Sequence, residues 1–327
     1  MARQIDWDRQ LSRRLKLREL DVFIAVAKHG SMARAAIELG LTQPSVSEMM
    51  ANLERALGLR LLDRSTKGVV PTIYGQTLLR GSVAAIDDLQ QMIKALEALA
   101  DPTAGEVKVG CPETVAVLLP PIVERLSRTH PRVLVHMSDI VAPTLDIPQL
   151  RDRTLDVAIV RFAGPAEQHA FVEDFDVDVV FNDELVVVAG KNSRWARDRH
   201  VDIERLADAP WVLPPLTTSN SRTVFEAFRE RGLGPPRIAM ATFSVHLRTI
   251  MAAKGSHVSV LPQSIVPFTA ERSGIMALPI KLPKHDFPLA IVTLRRRMPN
   301  PVVQLFIKHA HSSLRANAML RRTRSRA

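Results

Sequence analysis

Gly30-Ser31-Met32-Ala33-Arg34-Ala35-Ala36-Ile37-Glu38-Leu39-Gly40-Leu41-Thr42-Gln43-Pro44-Ser45-Val46-Ser47-Glu48-Met49-Met50 is the stretch from which the rest of the 327-residue chain is read. Gly30 ends a preceding helix, and Ser31 supplies an oxygen that accepts from a free first-turn N–H of the next one. That second helix is short and Ala-rich; Ala33, Ala35, Ala36 and Leu39 let another helix approach closely. Gly40 and Leu41 make a tight turn. Thr42 then caps a third helix, where Pro44 is tolerated because first-turn N–H groups lack an intrahelical partner. Along it Val46, Met49, Met50, Leu53 and Leu57 form the buried stripe, which turns Pro44, Glu48, Ala51, Asn52 and Arg55 outward. Upstream, Leu20, Phe23, Ile24 and Ala27 fall at i, i+3, i+4 and i+7 on one helix face. Two short helices joined by a Gly turn, the second with a small polar N-terminus, make a helix-turn-helix.

Working outward, Leu61–Asp63 and Val69–Val70 bracket Arg64-Ser65-Thr66-Lys67-Gly68, a hairpin with a basic tip that reads as a wing. Thr72 caps a long helix running to about Leu99. On it Leu79, Ile86, Leu89, Ile93 and Leu96 follow the three-and-four spacing of a coiled-coil seam, broken only at Ser82. A lone helix cannot bury such a seam, so a second subunit is the expected partner; docking on the chain's own globular part is the competing reading. Asp101-Pro102-Thr103-Ala104-Gly105 reads as a hinge. From Glu106 onward, short Val-rich strands alternate with helices, the pattern of an α/β unit with a largely parallel sheet. Strands are expected at 107–109, 133–137, 157–160, 185–188, 212–213, 238–241, 258–261 and 289–293. Helices are expected at 115–128, 144–153, 223–231, 245–253 and 302–315. Some 200 residues of this pattern point to two lobes rather than one sheet.

Composition agrees with a globular, nucleic-acid-binding chain. Hydrophobic residues are 46% and charged residues 24%, with a formal net charge of +10, which favours polyanionic partners. The basic C-terminal end, Arg315 to Arg326, reads as a solvated tail. No apolar run approaches the ~20 residues of a membrane span. Arg3, Asp6 and Asp8 do not open a secretory signal. Cys111 is the single cysteine, so a reducing, cytoplasmic setting is expected.

The N-terminal residues Leu20, Phe23, Val26-Ala27, Gly30-Ser31, Ala35-Ala36, Leu39, Thr42 to Ser47, Leu53-Glu54, Leu57-Gly58, Leu61 and Asp63-Arg64, followed by Pro71-Thr72 and Gly75, closely resemble the LysR-type DNA-binding domain. The remainder is more loosely similar to that family's effector domain. It shows Gly105-Glu106-Val107-Lys108-Val109-Gly110, Leu119-Pro120, Pro131, Leu150-Arg151, Leu155-Asp156-Val157-Ala158-Ile159-Val160-Arg161 and Leu261-Pro262. Pro71 to Gly75 and Leu150 to Arg153 look like the branch that senses sugars or aromatic-catabolism acids. The resemblance implies an α/β chain with an all-α N-terminal part: winged helix-turn-helix, linker helix, and a two-lobed effector domain like a type II periplasmic binding protein. Expected boundaries are an extension at 1–16, the winged domain at 17–72 (helix-turn-helix about 32–51) and the linker at 73–100. Lobe I is placed at 105–163 with 267–315, lobe II at 164–266, and the tail at 316–327. The implied partners are double-stranded promoter DNA, a small effector between the lobes, further copies of the chain as dimer and tetramer, and RNA polymerase.

The chemistry expected of individual residues follows. At the recognition helix Gln43 suits a bidentate contact to adenine, while Ser45 and Ser47 suit bases or phosphates. First-turn N–H groups near Thr42 favour an anion. By resemblance Gln43, Pro44, Ser47 and Glu48 fill the family's contact positions. Glu48 departs from the Arg or Lys often found there and either accepts from cytosine N4 or lies clear of the phosphates. Ser31 and Arg34 join this DNA-facing set, and Arg64 and Lys67 in the wing suit phosphates or the minor groove; the competing reading is a solvated charged hairpin. In the sensor, ligands collect at strand C-terminal ends and helix N-termini, which selects Thr114, Ser138, Arg161, Ser219, Ser244 and Pro262. Arg161 either pairs with a ligand carboxylate or forms a structural ion pair; the hydroxyls compete with plain capping. No cofactor or metal is expected. His309 and His311 have no Cys, Asp or Glu close in sequence, so a solvated helix face is expected of them, and Cys111 has an apolar flank that favours packing over redox chemistry.

An enzyme is disfavoured because Gly-x-Ser-x-Gly, His-Glu-x-x-His, a P-loop and a complete dinucleotide fingerprint are all missing. A solute-binding protein with a fused helical domain lacks its signal peptide. A ligand-independent nucleoid protein leaves the long α/β part unexplained.

Overall fold

The computed structural model describes residues 15–327 except 66–67, 102, 142–145, 165–171, 199, 299 and 325–327. Lys67, most of the N-terminal extension, Pro102 of the hinge and Thr144 of the expected 144–153 helix therefore lie outside the described residues. The chain forms two compact units, residues 1–94 and 95–327.

In the first unit, helices α1 (Leu17–His29), α2 (Met32–Leu39) and α3 (Gln43–Leu57) are separated by Gly30 and Gly40, both left-handed at φ 59° and 64°. α1 buries Glu19, Val22, Phe23, Ala25 and Val26. Of the expected face Phe23 is fully buried and Leu20 packs against the same core, while Ile24 and Ala27 are half-buried, so the buried face is rotated from the expected one. The register was masked by Glu19: its carboxylate accepts from the Lys16 N–H at 3.4 Å, so an acid occupies a position that looks polar in the sequence. α2 turns Met32, Ala35 and Ala36 inward while Ala33 is exposed, so Ala33 does not serve helix packing. α3 buries Val46, Met50 and Leu53, with Met49 and Leu57 packed partly against the same core. Strands β1 (Leu62–Ser65) and β2 (Gly68–Pro71) form an antiparallel hairpin that extends two residues further along β1 and one further along β2 towards the tip than expected. The Val69 N–H donates to the Gly30 carbonyl at 2.9 Å, tying the wing to the end of α1. Thr72 accepts from the Gly75 N–H at 3.1 Å and starts α4 (Ile73–Ala100). Gly75 is required there, because a Cβ would stand 2.1 Å from the Leu61 carbonyl oxygen.

The second unit holds two five-stranded sheets. The first comprises β3 (Ala104–Cys111), β4 (Arg132–Asp139), β5 (Val157–Arg161), β6 (Phe175–Asn182) and β12 (Pro288–Leu294), in the order β4-β3-β5-β12-β6. β3 runs parallel to β4 and β5, whereas β12 is antiparallel to both its neighbours. The second comprises β7 (Leu185–Gly190), β8 (Trp211–Leu213), β9 (Ile238–Ala241), β10 (Val258–Pro262) and β11 (Ile275–Ala277), in the order β11-β7-β10-β8-β9. The helices of this unit are α5 (Glu113–Ala116), α6 (Pro120–Thr129), α7 (Pro148–Arg151), α8 (Ser219–Glu230), α9 (Val245–Ala253), α10 (Val266–Ser273) and α11 (Pro301–Arg324). One apolar cluster joins Val107, Ile122, Val157, Ile291 and Phe306 around the first sheet and continues to Val245, Ala252 and Leu261 of the second. A further cluster surrounds Trp211, whose ring meets Phe228 edge-on at 5.8 Å.

Two crossings link the lobes, at Asp183–Glu184 between β6 and β7 and at 278–287 between β11 and β12. The boundaries therefore move. β6 lies inside the stretch expected for lobe II yet pairs with β12 of the first sheet, and β11 lies inside the stretch expected for lobe I yet pairs with β7. Neither strand was expected. β6 reads Phe-Asp-Val-Asp-Val-Val-Phe-Asn, where carboxylates interrupt the apolar run, and β11 has only three residues. The expected 115–128 helix is two helices, broken before Pro120-Pro121, and the 144–153 helix is reduced to Pro148–Arg151. Among the described residues no helix is long and apolar enough to cross a membrane.

Candidate DNA-reading surface and effector cleft

On the first unit, the start of α3 is built around Thr42. Its Oγ1 accepts from the Ser45 N–H at 3.4 Å and lies 3.2 Å from Ser45 Oγ, so both hydroxyls are engaged in capping. Gln43, Pro44 and Glu48 are exposed, and no internal partner constrains the Gln43 amide among the described residues. Ser47 is half-buried, and its hydroxyl donates to Met32 Sδ at 3.2 Å, locking α3 against α2. Ser31 caps α2 by accepting from the Arg34 N–H at 3.4 Å, and the Arg34 side chain stays exposed. Beyond the cap, Arg55 Nη1 donates to Asn52 Oδ1 at 2.7 Å on the outward face of α3. Arg64 is exposed on β1. Glu54 faces inward to the wing, accepting from the Leu61 and Leu62 N–H groups at 2.7 and 3.2 Å, which fixes where the hairpin leaves α3. The arrangement presents an amide, a carboxylate and several cations on a rigid three-helix support.

Along α4, Leu79 and Ile86 are half-buried, and Leu79 packs against the three-helix core. Leu89, Ile93 and Leu96 are exposed by 36%, 54% and 61%, joined by Met92 and Leu99. The C-terminal half of the helix thus carries an exposed apolar stripe at seam spacing.

The second unit encloses a cleft of about 400 Å³ lined from both sheets. Thr114, Arg161 and Ser219 of the sequence-derived set line it; Ser138, Ser244 and Pro262 do not. Ser138 sits exposed on edge strand β4, Pro262 ends β10 opposite Leu185, and Ser244 caps α9 by accepting from the Leu247 N–H at 3.3 Å. Thr218, not Ser219, caps α8. The Arg161 guanidinium is occupied by protein. Nε donates to Asp183 at 2.9 Å, Nη1 to the Thr114 carbonyl at 3.2 Å and Nη2 to Ser264 Oγ. Asp183 also accepts from the Ser264 N–H at 3.1 Å and lies on the first crossing, so this buried pair joins the end of β5 to both sides of the hinge.

Among the cleft residues not selected from sequence, two carry charge into the packing between the lobes. Glu113, from the first lobe, accepts from the Val245 and His246 N–H groups at 2.8 and 3.1 Å, capping α9 of the other lobe. Arg248 is 1% exposed, and its Nη1 donates to the Val260 carbonyl at 2.8 Å. Burial pushes its guanidinium down to about 10, against an opposing pull from the Glu113 charge. A signal for Arg248 was present: Val245, Arg248, Thr249 and Ala252 share the buried stripe of α9, so a cation interrupts an apolar face. Phe162, Phe243 and Phe287 complete the wall. Cys111 is buried, and burial with the Asp139 charge pushes its thiol up to about 12. His311 Nε2 lies 2.7 Å from Asp178 Oδ2.

Compared with known proteins, residues 17–76 match the helix-turn-helix model of bacterial regulatory proteins of the lysR family, and residues 100–315 match the LysR substrate binding domain. The chain belongs to the LysR family. Among curated relatives, this LysR regulator is 29% identical over 297 residues to the HTH-type transcriptional regulator GbpR of Azospirillum brasilense, covering 89% of this chain and 84% of that one. Among solved structures it shares the fold of full-length CbnR complexed with target DNA (TM-score 0.60, 21% identity, 91% and 100% of the two chains). It also shares that of full-length OxyR from Pseudomonas aeruginosa (TM-score 0.60, 24% identity, 92% and 95%). As a LysR-family chain it is a DNA-binding transcriptional regulator with an effector-binding domain.

Proposed function

We propose that this regulator binds promoter DNA as an oligomer and changes its binding geometry when a small effector, a sugar or an aromatic or other carboxylic acid, enters the cleft between the lobes. The observation that carries this reading is the cleft itself: a pocket of about 400 Å³, walled by Phe162, Phe243 and Phe287 and floored with polar groups, spanning two lobes joined by two crossings. Such a pocket is sized for a small molecule, and a ligand touching both lobes shifts the balance between their orientations. DNA reading is assigned to Gln43, Pro44, Ser47 and Glu48 with Ser31, Arg34, Thr42 and Ser45 in support, and phosphate contact to Arg64 and Lys67. Ser47 contributes mainly by fixing α3, since its hydroxyl is directed at Met32. Subunits pair through the Leu79, Ile86, Leu89, Ile93 and Leu96 seam, and pairs of dimers form the tetramer that engages RNA polymerase in the cytoplasm. The chain performs no catalysis in this reading; its relatives are regulators.

Footprinting of the purified protein across the DNA upstream of its own gene, with and without sugar acids and aromatic acids, tests this. A long protected region whose edges move with one compound supports a ligand-sensing regulator. Absence of sequence-specific protection under every condition removes it.

A further inference from the structure

The cleft holds two buried guanidinium groups in opposite circumstances. Every arm of Arg161 is committed, with Asp183 as its counter-ion. Arg248 is equally inaccessible, yet it forms no salt bridge among the described residues, and its Nε has no hydrogen-bond partner. Its single bond goes to a neutral backbone carbonyl, that of Val260. Glu113 senses the Arg248 charge, but its oxygens are spent on the N–H groups of Val245 and His246, with Ser244 Oγ at 3.5 Å.

A buried cation with an unmet donor is costly, and proteins retain one where something else supplies the missing partner. Arg248 lines the cleft, so a molecule entering it can be that partner. Its guanidinium stays charged at neutral pH even after burial has lowered it to about 10. The rest of the lining limits the shape of the molecule. Ile140, Phe162 and Phe287 offer apolar surface with little room for hydration, while Thr217 and Asn220 stand on the opposite lobe for one or two hydroxyl groups.

We infer that the effector is a small carboxylate whose acid group is held by the Nε edge of Arg248, with its hydrocarbon body against Phe162 and Phe287. This rests on the sensor reading above and narrows it, from sugar or acid to acid. It also transfers the charge-recognition role from Arg161, which holds the hinge, to Arg248. Planar carboxylate and guanidinium groups pair through two parallel bonds, a geometry no neutral sugar reproduces.

The test uses the full-length protein and matched pairs that differ in charge, benzoate with benzamide and gluconate with gluconamide, with glucose as a neutral sugar, titrated calorimetrically. At least one acid is expected to bind, at least 30-fold more tightly than its neutral partner. Arg248→Met is expected to weaken that acid at least 30-fold, and Arg248→Lys to retain part of the affinity. Thermal unfolding of each variant shows whether it is folded; should Arg248→Met fail to fold, the acid-against-neutral comparison on the unmodified protein decides alone. Equal or tighter binding of the neutral partners, acid affinity unchanged within threefold in folded Arg248→Met, or no binding of either acid overturns the inference. Glucose binding that moves the promoter footprint would do so while leaving the sensor reading intact; a footprint insensitive to every compound removes the sensor reading itself.

Discussion

Asp183 and Arg161 show how a residue that looks like a ligand-binding group in sequence becomes a structural one. Arg161 closes a hydrophobic strand, so either a ligand or a neighbouring acid can answer its charge, and only the chain's return through Asp183 brings that acid to 2.9 Å. Both side chains are almost wholly buried, so removing one charge strands the other. Asp183→Asn is expected to lose about 3–5 kcal/mol of stability, measured by urea unfolding. Replacing both partners with Met and Leu is expected to lose less, and a double variant as weak as the single would count against the stranded-charge account. Gln43 is the base-reading candidate at the exposed start of α3. Gln43→Ala is expected to lose roughly 1–3 kcal/mol of preference for the operator over a random duplex while keeping most non-specific affinity. Equal loss on both duplexes removes Gln43 as a reader. Cys111 has its thiol raised from 9.0 to about 12. A raised acid binds its proton more tightly in the folded state, so its effect on stability is absent below about pH 9 and turns unfavourable as pH rises from 9 towards 12. Iodoacetamide at pH 8 is therefore expected to label Cys111 only at the rate of unfolding; fast labelling of the native protein would contradict its burial.

At the scale of elements, α9 was bounded correctly at Val245–Ala253, because the signals that set its ends are local. α1 was placed with its face rotated: Phe23 and Leu20 pack as expected, but Val22, Ala25 and Val26 are buried beside Glu19, whose carboxylate is stabilised by a backbone N–H that no periodicity reveals. β6 and β11 were missed for different reasons: Phe175-Asp176-Val177-Asp178-Val179 carries a local apolar–polar alternation that was overlooked, whereas three-residue β11 is too short to show a period and is defined by its pairing with β7, far away in sequence. The cap that Glu113 places on α9 is of the same kind, since 132 residues separate its carboxylate from the Val245 N–H. The stripe on α4 was legible by spacing, and its exposure at Ile93 and Leu96 accords with an unfilled seam. Ile93→Asp puts a charge into that seam and is expected to shift the protein to monomers in sedimentation and to abolish promoter binding. A variant that remains dimeric would remove the stripe from the subunit interface.

For the whole molecule, the formal charge of +10 predicts binding dominated by phosphate neutralisation. Promoter affinity is expected to fall by about a thousandfold or more between roughly 50 and 200 mM salt, if six or more phosphates are engaged. Arg64→Ala is expected to flatten the log–log slope by about 1 for each wing in contact, with an unchanged slope placing Arg64 off the DNA. The order of the parts was readable in advance: three helices and a wing, a long helix, then alternating strands and helices. These depend on Gly, Pro and capping residues and on apolar spacing, all properties of short stretches of chain. The membership of the lobes, the neutralisation of Arg161 by Asp183 and the isolation of Arg248 were not readable, because each depends on which distant segments meet. The amino-acid sequence by itself thus determined the order of the parts, most of their elements and the helix-turn-helix, since those follow from local conformational preference and hydrophobic period. Only the tertiary structure decided which strands share a sheet and which buried cation lacks a direct salt bridge among the described residues, because long-range pairing and burial are set by the packed whole.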